Sequence, residues 1–196
     1  MRLEIHPKNP QPRLIQQAVK KLNQGEVIVY PTDSAYALGC HIGDKNSLER
    51  LRKIRQVDKN HFFTLVCSNL KELANYAQVD NWVFRLLKAN TPGAYTFLLN
   101  ASHEVPKRLV HPKRRTIGLR IPDNTIALAL IESLGEPILS TSLIMPDEQE
   151  PLWDPDDIED KLSPQVDTII DGGLCGCEPT TVIDLTGATP VILRQG

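Results

Sequence analysis

The 196-residue chain has no apolar run approaching the about eighteen residues a membrane helix needs. Its opening, MRLEIHPKNP, lacks the hydrophobic segment of a signal peptide. These absences set aside membrane and secretion roles and lead to the expectation of a cytoplasmic protein. Cysteine is scarce: Cys40, Cys67, Cys175 and Cys177 are too few and too unevenly placed for a disulfide framework. The Cys175-x-Cys177 pair has no second pair at zinc-finger spacing, so it reads as inert, with metal binding the lesser alternative. There is no GxxxxGK[ST] P-loop, and Gly172-Gly173-x-x-Gly176 is too loose for a dinucleotide fingerprint. No Ser-His-Asp or Cys-His order stands out, which disfavours covalent catalysis. Internal repeats and low-complexity tracts are absent.

What remains is ordinary globular composition, 41% hydrophobic and 23% charged, which excludes a disordered chain. The length suits one sizeable core and is short for two, so residues 1–196 are expected to form a single domain. The net charge of −2 hides a division. Residues 1–146 carry 20 Lys and Arg against 12 Asp and Glu, whereas residues 147–196 carry 2 against 12. An anionic partner would meet the first segment, unless these are solvated faces with no partner.

Apolar periodicity predicts a helix over 12–23, with Leu14, Ile15, Ala18, Val19 and Leu22 on one stripe and Gly25 as the stop. Val27–Tyr30 is a short β-branched run closed by Pro31, as in a buried strand. Further helices are predicted near 46–53, 70–77, 81–88 and 124–134, the last with Asn124 as N-cap and Gly135 at its end. Strands are predicted at 62–67, 95–99, 116–121, 138–143, 166–170, 181–185 and 191–193. This alternation predicts an α/β fold, a single-domain twisted mixed sheet with helices. Residues 146–155, with three prolines, read as a surface loop. Asp154-Pro155-Asp156-Asp157 reads as a helix start.

Several segments carry chemistry-bearing side chains. Pro31-Thr32-Asp33-Ser34 leaves a strand end, where open sheets bind ligands and where hydrogen-bonded turns also occur. Lys53 and Arg55 can clamp a triphosphate if the chain is extended there, but a regular helix points residues two apart roughly 200° from each other. The alternative is two exposed cations at a helix C-terminus. Lys107, Arg108, Lys113, Arg114 and Arg115 crowd one stretch with no aromatic residue interleaved. They suit backbone phosphates of RNA better than base stacking, or form a solvated loop. Ser140-Thr141-Ser142 and Pro179-Thr180-Thr181 place hydroxyls at strand ends, and Arg194 lies on the last strand. Hydroxyls plus scattered cations suit adenylyl transfer, in which positioning and charge neutralisation do most of the catalysis.

In this order the segments resemble the YrdC-like family, the threonylcarbamoyl-AMP synthases of tRNA modification, from about Gly25 to Gly196. PTDSAYALGC (31–40) is similar to the family's PTDT-x-YGLG, and KIR (53–55) to its K-x-R. TPGAYTFLL (91–99) is similar to PGP-x-T, TIGLRIPDN (116–124) to V-x-VR-x-P, and STS (140–142) to the start of STSAN. PTTVIDL and ILRQG (179–185, 192–196) are similar to PSTVVDL and LR-x-G. PTDSAYALGC and STSLIMP look closest to the family's YciO branch.

The resemblance implies a twisted α/β sheet around a basic concave face. It also implies synthesis of threonylcarbamoyl-AMP from L-threonine, bicarbonate and ATP, for later modification of adenosine 37 of tRNA. Carried over by position, Lys53, Arg55 and Ser142 are the candidate catalytic residues. Thr32, Ser34, Tyr36 and Arg120 fall to the substrate, and Ser140, Thr141, Thr180, Thr181 and Arg194 to the nucleotide. Mg²⁺ would enter with ATP, bound by phosphate and water, with no protein-held metal. The rival is a non-catalytic binder of structured RNA, transfer or double-stranded, using the same concavity and the 107–115 cations. Four positions depart from the family's pattern: Ile144 stands for Asn, Gln56 for Pro, Cys67 for His and Ala37 for Gly. The Ala37 departure implies that a positive φ is not readily adopted there.

Overall fold

The computed structural model describes residues 1–196. Ten strands form one mixed sheet in the order β1-β8-β2-β3-β7-β4-β6-β5-β9-β10. In chain order these are β1 (Arg2–Glu4), β2 (Ile28–Tyr30), β3 (Ala37–His41), β4 (Thr64–Val66) and β5 (Tyr95–Asn100). They continue with β6 (Thr116–Arg120), β7 (Ile138–Ser142), β8 (Thr168–Asp171), β9 (Thr181–Asp184) and β10 (Val191–Arg194). The helices are α1 (Pro12–Asn23), α2 (Lys45–Arg55), α3 (Leu70–Tyr76), α4 (Asn81–Asn90), α5 (Thr125–Leu134) and α6 (Pro155–Leu162). No helix is long and apolar enough to cross a membrane.

Strand alternation builds two cores, one on each face of the sheet. On β2, Ile28 and Tyr30 join α1 and α5 on one face, while Val29, with Val27 just before the strand, joins α2, α3, α4 and α6 on the other. The α1 stripe buries Ile15, Ala18, Val19 and Leu22, with Pro12 at its first turn and Lys20 and Lys21 in its last. Asn124 caps α5 by accepting from the Ala127 amide at 3.0 Å, and Gly135 ends it at φ +78°. Asp154 caps α6 through the Asp156 amide at 2.9 Å, as the Asp-Pro-Asp-Asp pattern predicts.

Two strands escape the sequence reading. β1 has only three residues, too short for a pattern, and β3 (ALGCH) is built mostly of small side chains. Gly39 in β3 is required by packing: a Cβ there would lie 2.7 Å from Ile138 and 2.8 Å from the Tyr30 ring. Ala37 occupies regular β3 geometry opposite Ser142, so no positive φ is needed at that position. The strand expected over 62–67 contracts to Thr64–Val66, which frees Phe62 and Phe63 from the ladder.

Candidate functional site

A cavity of about 260 Å³ opens where α2, the α2–β4 loop, β7, β9 and β10 converge. Arg55, the last residue of α2, enters from one side because the helix stops there: Gln56 adopts the left-handed conformation at φ 50°. Proline, fixed near φ −65°, could not occupy that position, so the Gln for Pro departure matches the way this helix ends. Arg194 of β10 closes the opposite side. It donates to the Thr180 carbonyl at 3.1 and 2.9 Å and to the Thr180 hydroxyl at 3.2 Å.

Neither cation meets a carboxylate. Arg55 donates to the Ile144 carbonyl, and its Nε is buried without a partner. Burial holds the pKa of both guanidinium groups below the usual arginine range, a sign that charge has been withdrawn from water without compensation. Between them lie the hydroxyls of Thr64, Thr96, Thr141, Ser142 and Thr180. Phe62, Leu98, Ile144, Val182 and Leu193 supply an apolar wall. No Asp or Glu lines the cavity. Cations, hydroxyls and a hydrocarbon wall together suit a ligand with phosphates at one end and a flat apolar body at the other.

A recess of about 30 Å³ adjoins this cavity and shares Thr64, Thr96, Thr141, Ser142 and Thr180 with it. Thr32, Ser34, Tyr36 and Arg120 line it, as the positional carry-over implies. Arg120 is 7% exposed, ion-paired to Asp33 and bonded to Ser34 Oγ at 3.1 Å. Burial lowers its pKa while Asp33 opposes the shift. Thr32 Oγ1 accepts from the Ser34 and Ala35 amides, both at 3.2 Å, so part of this turn is structural. The Tyr36 hydroxyl donates to the Gly173 carbonyl at 2.7 Å and accepts from the Gly172 amide at 3.1 Å. Gly176 lies against the same turn, since a Cβ there would come within 2.5 Å of the Ser34 carbonyl oxygen.

The expected site residues divide. Arg55, Thr141, Ser142, Thr180 and Arg194 converge on the cavity, with Thr32, Ser34, Tyr36 and Arg120 on the recess. Lys53 does not join Arg55. Both lie on a regular helix, which points them apart, and Lys53 is exposed and lines neither space. Thr181 faces a separate hollow of about 610 Å³, where its hydroxyl accepts from the Gly196 amide at 3.0 Å. Ser140 also lines the recess, but its hydroxyl is engaged: it accepts from Tyr30 at 2.7 Å and donates to the Leu38 carbonyl at 3.0 Å. Burial pushes Tyr30 up to about 12, so its phenol remains a donor. Cys67, where the pattern has His, is fully buried and lines neither space.

Lys107, Arg108, Lys113, Arg114 and Arg115 are exposed, and Arg108 also donates to the Ile42 carbonyl at 3.0 Å. Lys107 and Arg115 border a hollow of about 450 Å³ with His103 and His111. No aromatic residue interrupts the stretch in sequence, yet Phe62 stacks on His111 at 4.8 Å and 17°, so an aromatic surface does stand beside these cations. Cys175 is half-buried, its thiol pushed up to about 11 by burial, and Cys177 is exposed. No group of three or more His, Cys, Asp or Glu is placed to hold a metal ion.

Sequence reasoning missed His61, Phe62, Thr64, Thr96 and the apolar wall. His61 sits 3.1 Å from Thr141 through Nε2 and edge-on to Phe63 at 5.0 Å. Thr96 meets Thr180 at 2.8 Å across the β5–β9 seam. The available signal was alternation: Thr96 and Leu98 point away from buried Phe97 and Leu99, toward the face that β9 and β10 complete.

Comparison with known proteins gives a consistent picture. The family model Sua5/YciO/YrdC, described as telomere recombination, matches residues 20–196. The Escherichia coli protein YciO is 59% identical over 98% of this chain and 93% of its own length. Its crystal structure superposes with a TM-score of 0.97, covering 100% of this chain and 95% of that one. A threonylcarbamoyl-AMP synthase of Vibrio vulnificus is 30% identical over 93% of this chain and 98% of its own. Sua5 of P. abyssi, solved in complex with L-threonine, gives a TM-score of 0.90 at 26% identity, covering 99% of this chain and 57% of that chain.

Proposed function

Because the chain belongs to the Sua5/YciO/YrdC family, we propose that it binds ATP in the cavity between Arg55 and Arg194 and works as a synthase of the threonylcarbamoyl-AMP type. The observation that carries this reading is a half-buried Arg55 and an exposed Arg194, neither with a carboxylate partner, facing one hydroxyl-lined space. A polyphosphate restores the missing counter-charge, with Arg as a bidentate donor. The apolar wall formed by Phe62, Leu98, Val182 and Leu193 takes the base, and the recess at Arg120, which has room for about one water, takes only a polar end of a small amino acid lying in the adjoining cavity.

In this chemistry a carbamate oxygen of N-carboxythreonine attacks the α-phosphorus of ATP, and pyrophosphate leaves. The protein's contribution is alignment and neutralisation of charge on the phosphates. Arg55 and Arg194 supply the charge, and Ser142, whose hydroxyl borders both cavity and recess, stands where the two substrates meet. Lys53 serves the same ligand only if its side chain swings round the end of α2. Mg²⁺ arrives with the triphosphate, since the cavity offers no carboxylate cage and phosphate and water complete its shell. Ile144 in place of an amide leaves a polar ligand atom without a partner, a cost of about 1–3 kcal/mol, or roughly one to two decades in affinity.

The test is pyrophosphate release from ATP in the presence of Mg²⁺, L-threonine and bicarbonate. Release that depends on threonine supports the reading. None at high protein concentration overturns it.

The exposed cations and the Phe62–His111 stack favour a second reading, a non-catalytic binder of structured RNA. Phosphates would lie along Lys107, Lys113, Arg114 and Arg115, with an unpaired base against the stack.

A further inference from the structure

His61 is the one imidazole lining the cavity, the only side chain there whose ordinary pKa lies near neutral. It is delivered by a short turn after α2, in which its amide donates to the Asp58 carbonyl at 3.3 Å and Asp58 Oδ1 accepts from the Asn60 amide at 2.8 Å. The ring is then fixed between the Phe63 edge and the Thr141 hydroxyl, 3.1 Å from Nε2. Thr141 and Arg55 belong to the same cavity wall.

The charges around it are mostly positive. Arg52 and Arg55 face it from α2, Asp58 and Lys59 from its own loop, Arg108 and His111 from the 107–111 segment, and Arg194 from β10 across the cavity. Asp58 is the only acid among them. We propose that His61 is the proton-accepting group of the polyphosphate site, neutral against Thr141 in the free protein and taking up one proton when a polyphosphate settles beside Arg55. This rests on the nucleotide reading of the same cavity.

The electrostatic argument runs in one direction. Burial first, and the Arg55 charge second, push His61 down to about 4 in the free protein. A polyphosphate offsets Arg55 and adds negative charge next to the ring, and both effects favour imidazolium. The bound-state pKa is therefore higher than the free-state one. Protons are taken up on binding between the two values, and affinity rises as pH falls through the bound value, levelling off below about 4.

The experiment is titration calorimetry of ATP with Mg²⁺ at pH 6 and pH 8, in buffers of different ionisation heat, for wild type, His61→Gln and His61→Asn. Both amides can bond Thr141 but do not titrate, and the proton equilibrium of the γ-phosphate is common to all three. The expected result is extra proton uptake by wild type at pH 6. Its affinity should gain, relative to either variant, up to roughly tenfold per pH unit. A second measurement needs no variant: the His61 ring signals, titrated by NMR with and without inorganic tripolyphosphate, should move their midpoint upward. Binding with equal proton uptake in all three proteins, or with an unmoved ring midpoint, overturns the role of His61 alone. Failure of wild type to bind either ATP or tripolyphosphate overturns the nucleotide reading and this proposal together.

Discussion

Arg55 is held by the backbone carbonyl of Ile144, so the inner cation of the cavity and the clearest departure from the family's motif form one unit. The carbonyl is indifferent to the side chain at position 144, and the isoleucine itself lies half-buried in the cavity wall rather than in the core. Replacing Ile144 by Asn should therefore leave Arg55 anchored while adding an amide beside the ligand. The expected loss of burial is about 1 kcal/mol, a fall of roughly 2–4 °C in thermal midpoint. Threonine-dependent pyrophosphate release should rise about tenfold or more. A much larger fall in midpoint with no gain in turnover would place Ile144 in the core after all.

Arg55→Ala separates binding from stability. Loss of a charged donor to phosphate should weaken ATP binding by about 10–100-fold. The thermal midpoint should hold or rise, because the substitution removes a desolvated charge that has no acid partner. Calorimetry and a melt on the same sample check both halves. Unchanged affinity would move the phosphates away from α2.

Arg120 behaves in the opposite way. It is 7% exposed and its only acidic partner is Asp33, so Asp33→Ala strands a buried cation. The expected cost is about 3–5 kcal/mol, or roughly 6–20 °C in a chain of this length. The double variant Asp33→Ala with Arg120→Met should lose less than Asp33→Ala alone. Equal losses would show that packing, not the orphaned charge, sets the cost.

If RNA binds along the exposed cations, its affinity should fall steeply with salt. Replacing Lys113, Arg114 and Arg115 together by Gln should reduce the slope of log K against log salt by about 2–3. Filter binding at several salt concentrations measures it, and an unchanged slope places the contact elsewhere.

Local rules carried much of this fold in the sequence. The α1 stripe, the Asn124 and Asp154 caps, and the β-branched run of β2 each follow from contacts within a few residues. What escaped depends on distant partners. β1 is a strand only because β8 offers it a parallel edge, and β3 only because Gly39 lets Tyr30 and Ile138 close over it. The site divides in the same way. Arg55, Ser142 and Arg194 were legible as hydroxyls and cations at element ends. His61 and Phe62 were not, because a loop residue acquires chemistry from what it folds against, here Thr141 and His111. Lys53 entered with Arg55 through the K-x-R resemblance; α2 stays regular through Arg55, so the two cations point apart at a helix C-terminus, the alternative that the sequence had left open.

The outer wall of the cavity is also the rim of the sheet. β10 pairs with β9 alone, its register slips between Ile192 and Arg194, and all four of its residues are exposed. Arg55 stands beside β7, with β4, β6, β5 and β9 between that strand and β10. A molecule that met both Arg55 and Arg194 would therefore brace an edge strand against one of the central ones. Such a guest acts as a crossbeam. On the proposed reading, occupancy would stiffen this rim, and β10 would be the strand most changed by an empty cavity.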